Sequence, residues 1–81
     1  MSVELAESGV IELKGECTVE DAESLLRHLL MAPDARVDWT GCDSAHTAVV
    51  QVLLAADISL IGPPRSAFLA EKIAPLLHGR R

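Results

Sequence analysis

Val37-Asp38-Trp39-Thr40-Gly41-Cys42-Asp43-Ser44-Ala45-His46-Thr47-Ala48-Val49-Val50-Gln51-Val52-Leu53-Leu54-Ala55-Ala56 decides how the rest of the chain is read. Ala35 to Thr40 has strand character, with Val37 and Trp39 alternating against Asp38 and Thr40, and Gly41 is expected to end it. From about Thr47 to Ala56 the residues are apolar almost all round, which predicts a helix buried on most sides. The valines favour a strand, but the run Val52-Leu53-Leu54-Ala55-Ala56 favours helix. A strand leading into a buried helix is half of a βαβ unit, so neighbouring segments should supply more strands and crossovers.

They do. Gly9 to Gly15 reads as a strand closed by glycine at both ends, and Val3-Glu4-Leu5 can pair with it as a hairpin through Glu7-Ser8-Gly9. Thr18 starts a helix, with Asp21 completing a capping-box pattern and acidic residues crowding the first turns. Val19, Ala22, Leu25, Leu26, Leu29 and Leu30 form one apolar stripe, and Pro33 stops the helix. Ile58 to Ile61 is a short strand cut by Gly62-Pro63-Pro64. Ser66 caps a third helix through Phe68, Leu69, Ile73 and Leu76-Leu77, where Pro75 predicts a kink or break at Ala74. The fold class is therefore α/β: a small mixed sheet of about four strands with three helices, in the order β(β)αβαβα. With so few helices, one face of the sheet should be poorly covered.

Bulk composition narrows the function. Eighty-one residues make one domain, 1–81, with 49% hydrophobic residues and a formal net charge of −5. A domain of this size buries only about 60% of its unfolded surface, so modest stability is expected. One Trp, one Phe and no Tyr leave few stacking platforms, and the acidic balance disfavours phosphate backbones, so no nucleic acid is expected. The apolar run Ala48 to Ala56 is too short to span a bilayer, the start lacks a basic signal-peptide region, and Arg80-Arg81 is too short for a basic tail. A reduced, cytoplasmic protein with no membrane association is the expectation. Cys17 and Cys42 read as small buried hydrophobes. Cys42 and His46 have a metal-compatible spacing, but two ligands do not make a structural zinc site, and no metal or cofactor is expected. Gly62-Pro63-Pro64-Arg65-Ser66 lacks the glycines and lysine of a phosphate loop. Trp39 belongs in the core.

Over Val37 to Ala56 the chain resembles the STAS domain family of anti-sigma-factor antagonists. Val37 to Gly41 is similar to the family's Val-Asp-Leu-Ser-Gly-like strand end, and Gln51-Val52-Leu53-Leu54 to its buried helix. Thr47 falls on the family's phosphorylatable Ser/Thr. Outside this stretch the resemblance covers nearly the whole chain in element order. Two positions depart: His46 stands where the family has Asp, and Val49 where it has a small residue. The resemblance implies a non-catalytic regulatory protein that binds a signalling partner, an anti-sigma factor or histidine-kinase-like protein, and no small-molecule substrate. Phosphorylation would fall on Thr47, with Ser44 as second choice. Asp43, Ser44, His46, Thr47 and Val50 would meet the partner, and His46 could pair with the phosphate. A STAS-like scaffold without the switch is the sibling reading. A different class stays open as well: Gly41-Cys42-Asp43-Ser44 resembles the Gly-x-Asp-Ser core of acyl carrier proteins, which would put phosphopantetheine on Ser44 in an all-helical fold.

Overall fold

The structure is a computed structural model that describes residues 3–6, 8–32, 34–56 and 58–78. Four strands form one sheet in the order β1-β2-β3-β4: β1 (Val3–Leu5), β2 (Ile11–Cys17), β3 (Val37–Ala45) and β4 (Leu60–Ile61). The first pair is antiparallel and the next two are parallel. Helices α1 (Val19–Met31) and α2 (Thr47–Ala56) make the two crossovers. A π-helical stretch, Leu69–Ile73, runs into α3 (Ala74–His78) after the last strand. The α/β class and the order ββαβαβα are those expected from the sequence. The roles assigned to Glu7, Pro33 and Arg80-Arg81 lie outside the described residues.

The sheet has one covered face and one bare one, for a topological reason. Both parallel crossovers step the same way, β2 to β3 to β4. Two crossovers of the same hand stepping in one direction lay their helices on the same face. Ile11, Leu13, Val37 and Trp39 turn toward the helices and are buried with Leu25, Leu29, Val49, Leu53, Leu69 and Leu77. Burying each such side chain contributes about 1.5–3 kcal/mol. Glu4, Glu12 and Asp38 sit opposite one another in a row on the other face. Lys14 shares that face and pairs with Glu4 at 3.6 Å and Glu12 at 3.1 Å.

Turns and caps follow the local chemistry. Gly9 adopts a positive φ of 87° in the β1–β2 turn, where the Ala6 N–H donates to the Val10 carbonyl at 2.8 Å. The Thr18 N–H donates to the Asp21 carboxylate at 2.7 Å and the Thr18 hydroxyl to the same carboxylate at 3.1 Å. These bonds explain why buried Asp21 is tolerated. Ser66 Oγ accepts from the Leu69 N–H at 3.3 Å, as its expected capping role requires.

Several expectations are corrected. Glycine does not end the second or third strand. Gly15 continues β2 with φ of 66°, and β3 runs through Gly41 to Ala45. The β2–β3 ladder contains two register shifts, between Glu12 and Lys14 and between Gly15 and Glu16. At each shift β3 advances one residue further than β2, so β3 carries two bulged residues. The first turns Cys42 inward and Asp43 outward, and the second restores the original alternation, leaving Ala45 packed against the core. Strand β4 shrinks to Leu60 and Ile61. Helix α2 buries only Val49 and Leu53, because helices cover it on one side alone. On α1, Leu25 and Leu29 are buried while Leu26 and Leu30 are exposed. Pro75 does not break the third helix. The turn ahead of it widens, with the Ala74 N–H donating to the Leu69 carbonyl, five residues back. A wider turn accommodates a residue that has no N–H to give.

Trp39 lies in the core, as expected, and packs closely against Gly62. A Cβ on Gly62 would run into its indole ring. Gly62→Ala is expected to destabilise the fold by about 1–3 kcal/mol through overpacking. Denaturant unfolding followed by the fluorescence of this single tryptophan measures that loss.

Candidate functional site

The three strand-to-helix junctions meet at the carboxyl end of the parallel strands, the usual place for sites in such sheets. Cys17 leads through Thr18 into α1, Ala45 leads through His46 into α2, and the segment after Ile61 leads to Ser66. The junctions are tied together by backbone bonds. The His46 N–H donates to the Cys17 carbonyl at 2.8 Å, and the Ser66 N–H to the Cys42 carbonyl at 3.4 Å.

His46 occupies the connection between β3 and α2 by itself and caps the helix. Its Nδ1 accepts from the Ala48 N–H at 3.0 Å, and its carbonyl accepts from the Val49 N–H at 2.9 Å. Nδ1 must offer a lone pair for this bond, so the capping ring carries its proton on Nε2. The hydroxyl of Thr47 does not take the capping place. Thr47 is the first residue of α2 and is exposed. Val50 lies one turn further along, half-buried.

Asp43 and Ser44 do not belong to a loop. Both lie in β3 and both are exposed, because the second bulge places consecutive side chains outward. Asp43 pairs with Arg65 at 3.4 Å. This pair was not visible in the sequence, since nothing local brings residues from two junctions together. The candidate set Asp43, Ser44, His46 and Thr47 therefore forms one exposed edge, with Val50 partly behind it.

Beside this edge, on the bare face, Glu12, Lys14, Asp38, Thr40, Asp43 and Arg65 line a shallow polar hollow of about 370 Å³. The Thr40 hydroxyl and N–H both donate to the Asp38 carboxylate, at 2.7 Å and 2.9 Å. These bonds hold the Asp38 carboxyl below its ordinary value. Beneath the edge, Cys17 and Cys42 are free, buried thiols with sulfurs 3.8 Å apart. Each thiol also reaches a backbone acceptor, Cys42 the Ser44 carbonyl at 3.4 Å and Cys17 the Lys14 carbonyl at 4.0 Å. Contact with the Cys42 sulfur, together with burial, pushes the Cys17 thiol far up. Both side chains are buried in the core, where they pack as small hydrophobic residues. Among the described residues no group of three or more His, Cys, Asp or Glu side chains could hold a metal, and no helix is long and apolar enough to cross a membrane.

No family model, curated protein or solved structure matches the chain.

Two outcomes test this geometry. His46→Ala should cost about 1 kcal/mol of stability through the lost cap, and His46→Asp should recover most of it by offering a carboxylate oxygen to the same N–H, both measured by denaturant unfolding. The Asp38 carboxyl, followed by NMR, should titrate below the ordinary value of 3.8 and move up in Thr40→Val. The sign follows from linkage: a lowered folded-state pKa adds stability above pH 3.8, and that contribution fades as the pH falls through the folded-state value.

Proposed function

We propose that this chain is a STAS-like regulatory domain of the cytoplasm, acting by binding a signalling protein and carrying no catalysis of its own. The partner is an anti-sigma factor or a histidine-kinase-like protein, and Thr47 receives the phosphate that ends the interaction. The observation that carries this reading is the exposed hydroxyl residue at the first position of α2, level with exposed Asp43 and Ser44 at the end of β3. A partner covering that edge must cover Thr47. Phosphorylation adds roughly −1.5 to −2 charges there, next to Asp43, and a face complementary to the neutral hydroxyl then meets charge that it cannot satisfy.

The departure at His46 has a physical account that fits the same reading. Asp, the usual residue at this place in the family that the chain resembles, would offer a carboxylate oxygen to the helix start. Here an imidazole nitrogen accepts from the Ala48 N–H in its stead. The helix start is formed without the negative charge. The scaffold reading draws on the same observation, since a cap built on His46 leaves the Thr47 hydroxyl without a structural duty. A phosphopantetheine carrier would need Ser44 ahead of a helix in an all-helical bundle, whereas Ser44 stands within a strand of an α/β sheet.

Capture of the partner by wild type, Thr47→Val and Thr47→Glu separates the readings. The switch expects equal capture by the first two, at least about tenfold weaker binding by Thr47→Glu, and a phosphate on Thr47 after incubation with the kinase-like partner and ATP. Equal capture by all three leaves the scaffold alone. Failure of wild type to bind any anti-sigma factor or kinase-like protein overturns both.

A further inference from the structure

Helix α1 presents an outer face that its own fold leaves unpaired. Val19, Leu26, Leu30 and Met31 are 51%, 47%, 74% and 83% exposed. They share one side of the helix with Glu20, Glu23 and Arg27, while Ala22, Leu25 and Leu29 take the buried side. Between this face and α2 runs an apolar groove of about 570 Å³, whose far wall is built from Ala48, Gln51, Val52, Ala55 and Ala56. That wall carries no charge, because α2 contains none. Exposed leucines beside an apolar channel mark an interaction surface.

Charge order along α1 says what fits there. Glu20 and Glu23 occupy its first half, and Arg27 follows in the second. A helix that is acidic at one end and basic toward the other complements itself when two copies run antiparallel. Glu23 of each then faces Arg27 of the other, and the helix dipoles oppose favourably. We propose that this face of α1 pairs with a second copy of the chain about a two-fold axis near Leu26, with Leu30 of each copy entering the groove of the other. The interface is isologous, so one apolar channel and one exposed leucine per copy satisfy both sides. The proposal stands independently of the role assigned to Thr47.

Sedimentation velocity of the full chain across a concentration series tests it. Wild type should show a reversible dimer, and Leu30→Glu should weaken it at least about tenfold, as loss of a central anchor does. Glu23→Arg and Arg27→Glu should each weaken it by about two- to fivefold, the scale of an exposed ion pair. The double variant Glu23→Arg/Arg27→Glu should return toward wild type, because the reversed order is still self-complementary. Circular dichroism confirms that each variant is folded, which is expected for substitutions on an exposed face. A wild type that stays monomeric up to about 100 µM overturns the proposal, as does a dimer indifferent to Leu30→Glu or to the single charge reversals. An apolar dye bound by a monomeric wild type and lost in Leu30→Glu would assign the groove to a small ligand or a foreign protein, and would equally overturn it.

Discussion

The parallel ladder between β2 and β3 is the contact on which the other elements depend. It joins segments that are distant in sequence, so that Cys17 and Cys42, 25 positions apart, touch in the core. Closing that distance costs chain entropy before any burial offsets it. The return comes from both sides of the ladder. Its inward residues Ile11, Leu13, Val37 and Trp39 make the floor on which α1 and α2 pack. Its last bond, from the His46 N–H to the Cys17 carbonyl, fixes where α2 begins. The exposed edge around Thr47 is therefore set by the end of the sheet and not by a flexible connection.

Element order was legible because each boundary had a local cause. Thr18 with Asp21, and Ser66 with Leu69, are short-range hydrogen-bond patterns that hold whatever surrounds them. The apolar run from Thr47 to Ala56 is bounded in the structure where its pattern begins and ends. Reading failed where the outcome depended on distant partners. Periodicity gave the apolar stripe of α1 but not the width of the layer beneath it, so Leu26 and Leu30 belong to the stripe and still lie exposed. Gly41 looked like a strand end, and only pairing with β2 carries the strand past it. Pro75 looked like a break, yet a helix already docked through Leu69 and Leu77 absorbs it by widening one turn.

The candidate site was legible in its membership and not in its roles. Asp43, Ser44, His46 and Thr47 do come together, since they are near neighbours on either side of one junction. The capping function went to His46 because its ring nitrogen reaches the Ala48 N–H, a task that sequence patterns reserve for hydroxyl and carboxylate residues. Arg65 was missed because its partner Asp43 lies across a junction contributed by another strand.

The two bulges in β3 limit how this segment can change in length. Each bulge sets two outward residues of β3 against one of β2: Thr40 and Gly41 against Lys14, and Asp43 and Ser44 against Glu16. Removing one residue from either pair would restore regular pairing there and leave Cys42, Ala45 and α2 on the sides they occupy. A residue lost elsewhere in β3 has no such slack, and it would exchange inside for outside along everything that follows. Deletions should therefore be tolerated at the two bulges and not between them.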